Sequence, residues 1–358
     1  MKSLIGAVLV ASLLFGVGPS AAPPTAMAST SPTLAHLIGQ KLVVRMEGVT
    51  PSADLLGRIR RGEVGGVILF GSNITTPSAL VALTTQLGQA AAAGGQPRLL
   101  IAVDQEGGSV KRIPWAPPHL SAPQMGRLGS ATIARSEGAN TGSALHALGI
   151  DVDLAPVADV PASTASFMYR EGRTFSFSAS RTALLADAFA RGLESGRVVP
   201  TMKHFPGIGY ATRNTDSSLV TIRASRAALA PGLLPYRTAI RHGIPLIMLS
   251  NATYTAYDAR NGAGWSYTIN RLLRHDLGFS GVTITDSLDG TAIARGIWTR
   301  VLAVSAARAG TDMILTTGSE ASTRRVYATL LLKAQLGAIP RATLLASYNR
   351  ILALKAGL

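Results

Sequence analysis

The sequence predicts an α/β fold, a single-domain (β/α)8 TIM barrel, on three observations. Eight short apolar runs recur along the chain, at 41–45, 64–70, 99–104, 150–157, 198–203, 245–250, 282–286 and 313–317. Most are continuously apolar rather than alternating, as expected of parallel strands covered by helices on their outer face. Stretches rich in Ala, Leu and Arg separate most of them, so strand and helix alternate. Finally, several runs end abruptly in polar, reactive residues: Asp104, Lys203-His204, Ser250-Asn251 and Asp286. In such barrels the C-terminal ends of the strands carry the active site.

The elements follow in order. Lys2 precedes an apolar run at 4–17, and small residues and prolines come next, with Ala26-Met27-Ala28 as one cleavage position. That is the pattern of a secretory signal peptide. A stable span needs about 20 apolar residues, so the run is short for one; an uncleaved anchor is the alternative. No cysteine follows it, which excludes a lipid anchor on cysteine. The expected organisation is a signal peptide at 1–28 and the barrel at 29–358, in a protein exported to the cell envelope or beyond. An amphipathic helix is predicted at 32–40, and helices between strands at 78–93, 131–147, 180–195, 234–242 and 290–309. The tail, 330–358, reads as two helical segments separated by 337–340, packed on the outside of the barrel. No linker divides 29–358, so no second catalytic domain is expected within it. An open doubly wound sheet is the alternative architecture. It would bring a glycine-rich nucleotide loop after its first strand; the near match Gly207-Ile208-Gly209 lacks the third glycine and precedes no convincing helix.

Composition excludes several functions. The chain has 358 residues, 47% hydrophobic and 15% charged, and no cysteine. Disulfides, thiolate metal sites and a cysteine nucleophile are therefore absent. The histidines lack metal-ligand spacing, and no metal or organic cofactor is expected. The formal charge is +15, which draws a protein toward anionic polymers such as those of a cell wall. Nucleic acid is not indicated: aromatics are 5% and no basic run is interleaved with stacking residues. A monomer is expected.

Asp104 leads into Gln105-Glu106-Gly107-Gly108, and Arg112 follows. Carboxylates, a lysine, an arginine and a histidine converging on one pocket suit a polyhydroxylated ligand, whose hydroxyls both donate and accept charge-assisted hydrogen bonds. Each residue also has a plainer role. Asp286 alone is equally an N-cap for the next helix, His204 a hydrogen-bonded core residue, and Glu106 a neutralising partner for Arg112. Convergence at one face of one barrel is what favours a site.

The chain resembles glycoside hydrolase family 3, and more narrowly its single-domain β-N-acetylglucosaminidases. The matching motifs are Val103-Asp104-Gln105-Glu106-Gly107-Gly108 with Arg112, Ala155-Pro156-Val157-Ala158-Asp159, Gly172-Arg173-Thr174-Phe175, Lys203-His204-Phe205-Pro206-Gly207 and Thr285-Asp286. They stand in family order across nearly all of 29–358. The resemblance implies that Asp104, Arg112, Arg173, Lys203 and His204 hold a sugar. It implies that Asp286 is the nucleophile of a retaining mechanism acting on cell-wall or chitin-derived saccharides. In the single-domain members the loop after the lysine-histidine pair carries Gly-His-Gly and then Asp-Ser-His, whose histidine is the general acid/base. This chain has Gly207-Ile208-Gly209 and Asp216-Ser217-Ser218 instead, in a loop two residues longer. Serine is far too weak an acid for that task. Counted without a gap from His204, Asp216 falls where the histidine usually stands, and a raised pKa would let it serve. Two other readings remain open: a saccharide-binding barrel that has lost turnover, and a glycosyl transferase or phosphorylase of the same fold.

Overall fold

The computed structural model describes Met1, residues 6 and 7, and residues 31–358. Apart from Met1, Gly6 and Ala7, the expected leader at 1–28 lies outside the described residues. No helix among those described is long and apolar enough to cross a membrane. Contacts divide the chain into Met1–Pro32 and Thr33–Leu358, and the second unit holds the barrel.

The barrel strands are β1 (Leu42–Arg45), β2 (Gly66–Leu69), β3 (Leu100–Val103), β4 (Val152–Asp153), β5 (Val199–Phe205), β6 (Leu246–Leu249), β7 (Val282–Thr285) and β8 (Ile314–Thr316). Each pairs in parallel with its sequence neighbour from β1 to β7, and β8 pairs with β1. A parallel bridge between Ile284 and Met313 joins β7 to the start of β8 and completes the ring. Seven of the predicted apolar runs each contain one of these strands, and β5 runs two residues past the predicted end at 203. Their lack of alternation now has its cause. Val43, Ile68, Leu100, Ala102, Met248, Ile284 and Leu315 fill the barrel interior. Their neighbours Leu42, Val44, Val67, Ile101, Val103, Ile247 and Leu249 face the helical layer. Both faces exclude water, so both must be apolar.

Helices Pro77–Ala93, Ala131–Ala147 and Ala179–Ser195 begin at Thr76, Ser130 and Ser178, whose hydroxyls accept a backbone N–H of the first turn, satisfying a donor the helix cannot. The last two pack unusually close. A Cβ at Gly138 would collide with the Phe189 carbonyl, and one at Gly192 with the Arg135 carbonyl, so these positions require glycine.

Two elements differ from expectation. The helix expected over 290–309 is two, Leu288–Ala294 and Thr299–Ala309. Gly296 takes φ +66° between them, a left-handed turn that ends the first helix. The tail helices are Glu320–Gln335 and Arg341–Ala356. The second does not merely lie outside: it closes the barrel's base. Ile351 belongs to the interior cluster, with Leu354 and Leu358 against it. Lys355 donates to Gln40 Oε1 at 2.6 Å and to the Gly65 carbonyl at 2.8 Å. Arg350 pairs with the buried Asp312 at 2.7 Å. That helix thereby covers the base, and the opposite end, where β3, β4, β5 and β7 deliver Asp104, Asp153, Lys203 and Asp286, gathers the charged residues.

Candidate active site

The top of the barrel holds a cavity of about 240 Å³. Among its lining residues are Asp104, Arg112, Arg173, Lys203, His204, Asp216 and Asp286, all seven of the residues singled out from the sequence. Phe70, Leu154 and Met248 supply apolar wall. A larger cavity, about 570 Å³, opens at the barrel's base between Val199, Pro245 and Leu354. It gathers no comparable set of charges; volume alone does not mark the chemistry.

Lys203 is the hub. It is the fifth residue of β5 and is buried, with its ammonium 2.8 Å from Asp104 Oδ1 and 2.7 Å from Glu106 Oε1. Burial disfavours its charge, but Asp104 and Glu106 outweigh that and raise its pKa, so it stays an ammonium. Glu106 also receives a two-pronged bond from Arg173, at 2.8 and 2.6 Å. Burial alone would raise the Glu106 pKa; Lys203 and Arg173 reverse it, to about 2. Glu106 thus neutralises Arg173 and Lys203 rather than Arg112. Arg112 faces Asp104 more loosely, at 3.7 Å, with Phe70 beneath its guanidinium.

His204 follows Lys203 through a cis peptide. Its Nδ1 lies 2.7 Å from Oδ2 of the wholly buried Asp159. That contact occupies Nδ1 and leaves Nε2 free of Asp159. The other oxygen of Asp159 accepts the Ile208 N–H at 2.8 Å. Ile208, in the place of the family motif's histidine, is buried and does not line the cavity.

Asp286 ends β7 and is largely buried; its Oδ1 accepts the Ser287 N–H at 2.8 Å. The N-cap of the following helix is Ser287, so capping does not account for Asp286. Asp216 comes from the long loop after β5. That loop is docked on the helix after Asp286: Thr291 Oγ1 donates to the Thr215 carbonyl at 2.9 Å. A Cβ at Gly290 would collide with the Asp216 carbonyl. Asp216 is exposed at the mouth, yet it lines the same cavity as Asp286. Burial of the carboxyl and the facing Asp286 charge raise its pKa well above the usual carboxylate value. Since solvent reaches Asp216, the Asp286 charge is the firmer of the two causes.

Two functional residues escaped the sequence reading. Asp159 sat in a quoted motif without a role, and its part in orienting His204 needs the fold. Asp153 gave no signal in DVDLAPV. Only the register, in which Val103 pairs with Asp153, places it beside the Asp104 turn. One of its oxygens accepts the Gln105 N–H at 2.9 Å; the other is buried without a partner. Burial raises its pKa to about 8, with Asp104 and Glu106 adding to the rise and the Gln105 bond and Lys203 opposing it.

Comparison with known proteins agrees on one family. The family model described as glycosyl hydrolase family 3 N terminal domain matches residues 33–354. An uncharacterized secreted glycosyl hydrolase of Arthroderma benhamiae is 34% identical over 297 residues, 81% of this chain and 83% of that one. The solved β-N-acetylhexosaminidase of Beutenbergia cavernae is 31% identical with a TM-score of 0.83, over 92% of this chain and all of that one. A family 3 β-N-acetylglucosaminidase of Paenibacillus is 31% identical with a TM-score of 0.87; 91% of this chain aligns, and it spans only 63% of that longer protein.

The buried Asp153 makes stability depend on pH. Its folded pKa, about 8, lies above the unfolded value of 3.8. The folded state therefore holds a proton that the unfolded state has lost, and stability falls as pH rises between these values. Asp153→Asn is expected to flatten that decline. Urea unfolding of both proteins from pH 4 to pH 8 measures it; parallel stability curves would contradict a protonated Asp153.

Proposed function

The chain belongs to the glycosyl hydrolase family 3 N-terminal-domain family, and from that membership we propose a retaining glycosidase of the β-N-acetylhexosaminidase type. The observation that carries the proposal is the pairing of Asp216 with Asp286 in the cavity that also holds Lys203, His204, Arg173, Asp104 and Arg112. Two carboxyls facing one another in a single cavity resist ionising together. With the Asp216 pKa raised by the facing Asp286 charge, the proton resides on Asp216. One is then equipped as acid, the other as nucleophile.

The steps follow. Asp104, Lys203, Arg173, Arg112 and His204 bind the sugar hydroxyls, and these bonds strengthen as the ring flattens. The Asp286 carboxylate attacks the anomeric carbon while its bond to the leaving oxygen breaks, and Asp216 delivers its proton to that oxygen. Asp216, now ionised, takes a proton from water as the water attacks the same carbon. The Asp286 ester breaks, and the sugar leaves with its configuration retained. We read Asp216 as the successor to the histidine that relatives use.

Leaving groups test this assignment. Loss of general acid assistance costs about 10²- to 10⁴-fold for poor leaving groups and little for acidic phenols. The plot of log(kcat/KM) against leaving-group pKa should be shallow in the wild type and steep in Asp216→Asn. The wild-type rate on poor leaving groups should fall as pH rises through the Asp216 pKa, since the protonated form is the active one. Equal slopes in the two proteins would remove Asp216 from the role. Activated glycosides left intact by the wild type would instead support the saccharide-binding reading.

Export and a cell-wall or chitin-derived substrate complete the proposal. They are supported by the leader pattern at 1–28 and by the secreted relative. N-terminal sequencing of native protein is expected to find a start between residues 22 and 30; Met1 retained in a cytoplasmic fraction would contradict export.

A further inference from the structure

Beside the catalytic cavity lies a second concavity that the reaction does not use. It measures about 530 Å³ and is lined by Arg127, Tyr169, Thr174, Ser176, Phe177 and Arg181, among others. The two share a wall. Gly172 and Thr174 line the groove, while Arg173 between them lines the catalytic cavity. Tyr169 and Phe177 form an exposed ring pair with centroids 4.7 Å apart, and are 40% and 47% exposed. The pair thus presents two ring faces to solvent beside the cavity. Phe177 also lines a smaller hollow of about 190 Å³, which runs on to Tyr210, another exposed ring. Tyr210 belongs to the loop that bears Asp216.

The charges in the groove point the same way. Arg127 and Arg181 are both exposed, and no ion pair is formed by either guanidinium among the described residues. The lining holds no aspartate or glutamate. Two guanidiniums in a lining without a carboxylate give the groove a positive potential, which attracts an anion. Aromatic faces suit the C–H face of a pyranose ring, and guanidinium forks suit carboxylate or phosphate.

We propose that the groove between Tyr169, Phe177, Arg127 and Arg181 is a binding site for an anionic polysaccharide, separate from the sugar site at Lys203. It stacks sugar rings on Phe177 and Tyr169 and pairs carboxylate or phosphate substituents with the two arginines. Its place beside the cavity would hold the enzyme on a polymer whose chain ends the cavity cleaves. The proposal rests on the saccharide reading of the barrel but not on turnover, because its readout is binding.

The test is electrophoretic mobility of native, folded protein in gels containing polygalacturonate, a carboxylated glycan without hexosamine, or neutral dextran. Thermal melting confirms that each variant is folded. Wild type is expected to be retarded by polygalacturonate and not by dextran. Arg127→Gln, Arg181→Gln and Phe177→Ala should each weaken binding about three- to tenfold. Arg325→Gln, the same charge change on the helix Glu320–Gln335 after β8, should have a smaller effect. If the groove variants lose no more than Arg325→Gln, attraction to the polymer is a property of net charge and the proposal fails. Equal retardation by dextran would also overturn it. Groove-dependent binding without hydrolysis of any glycoside would sink the catalytic reading alone; hydrolysis without groove-dependent binding would sink this one alone.

Discussion

A charge taken out of water must find a partner, and the top of this barrel is arranged around one such charge, the Lys203 ammonium. Two carboxylates from β3 and the turn after it, Asp104 and Glu106, meet it within 2.8 Å. Glu106 in turn fixes Arg173 on the loop after β4, and Arg173 divides the catalytic cavity from the aromatic groove beside it. Asp153 anchors the start of the same turn through the Gln105 N–H. Removing the ammonium would leave the Asp104 and Glu106 carboxylates without their shared counter-charge. Lys203, Asp104, Glu106 and Arg173 are therefore one electrostatic unit, and their substitutions will not act additively.

The carboxyl pair on the other side of the cavity is set by packing instead. Asp286 is fixed by β7 and the Ser287 N–H. Asp216 arrives on a loop, and loops need outside support to hold a catalytic geometry. Here the support is the helix after Asp286: Thr291 bonds the backbone of the loop, and Gly290, lacking a side chain, lets the Asp216 carbonyl pass. The two carboxyl-bearing segments thus lean on a single helix, which holds the longer loop against the cavity.

The eight strands were legible because burial on both faces leaves no ambiguity of period. The strand-end residues were legible because a charge at the end of an apolar run has few other reasons to exist. The failures have physical causes too. The break in 290–309 was signalled only by Gly296, and a glycine within a helical pattern reads equally as tolerated or as a terminator. The base-closing role of 341–356 depends on Ile351 and Lys355 meeting residues hundreds of positions away. Asp153 became visible only through strand register, and Asp159 only through its bond to His204. Even Glu106 was assigned the wrong arginine, since sequence distance favoured Arg112 whereas the fold brought Arg173 nearer.

The central claim is that the Asp286 charge keeps a proton on Asp216. Infrared difference spectroscopy of the protonated carboxyl stretch follows that proton directly, with Asp216→Asn identifying the band. In the wild type the band is expected to persist well above the usual carboxylate range. In Asp286→Asn its titration should move down by about one pH unit or more, because the facing charge is gone. A midpoint unchanged by Asp286→Asn, or an Asp216 already ionised near pH 4 in the wild type, would contradict it.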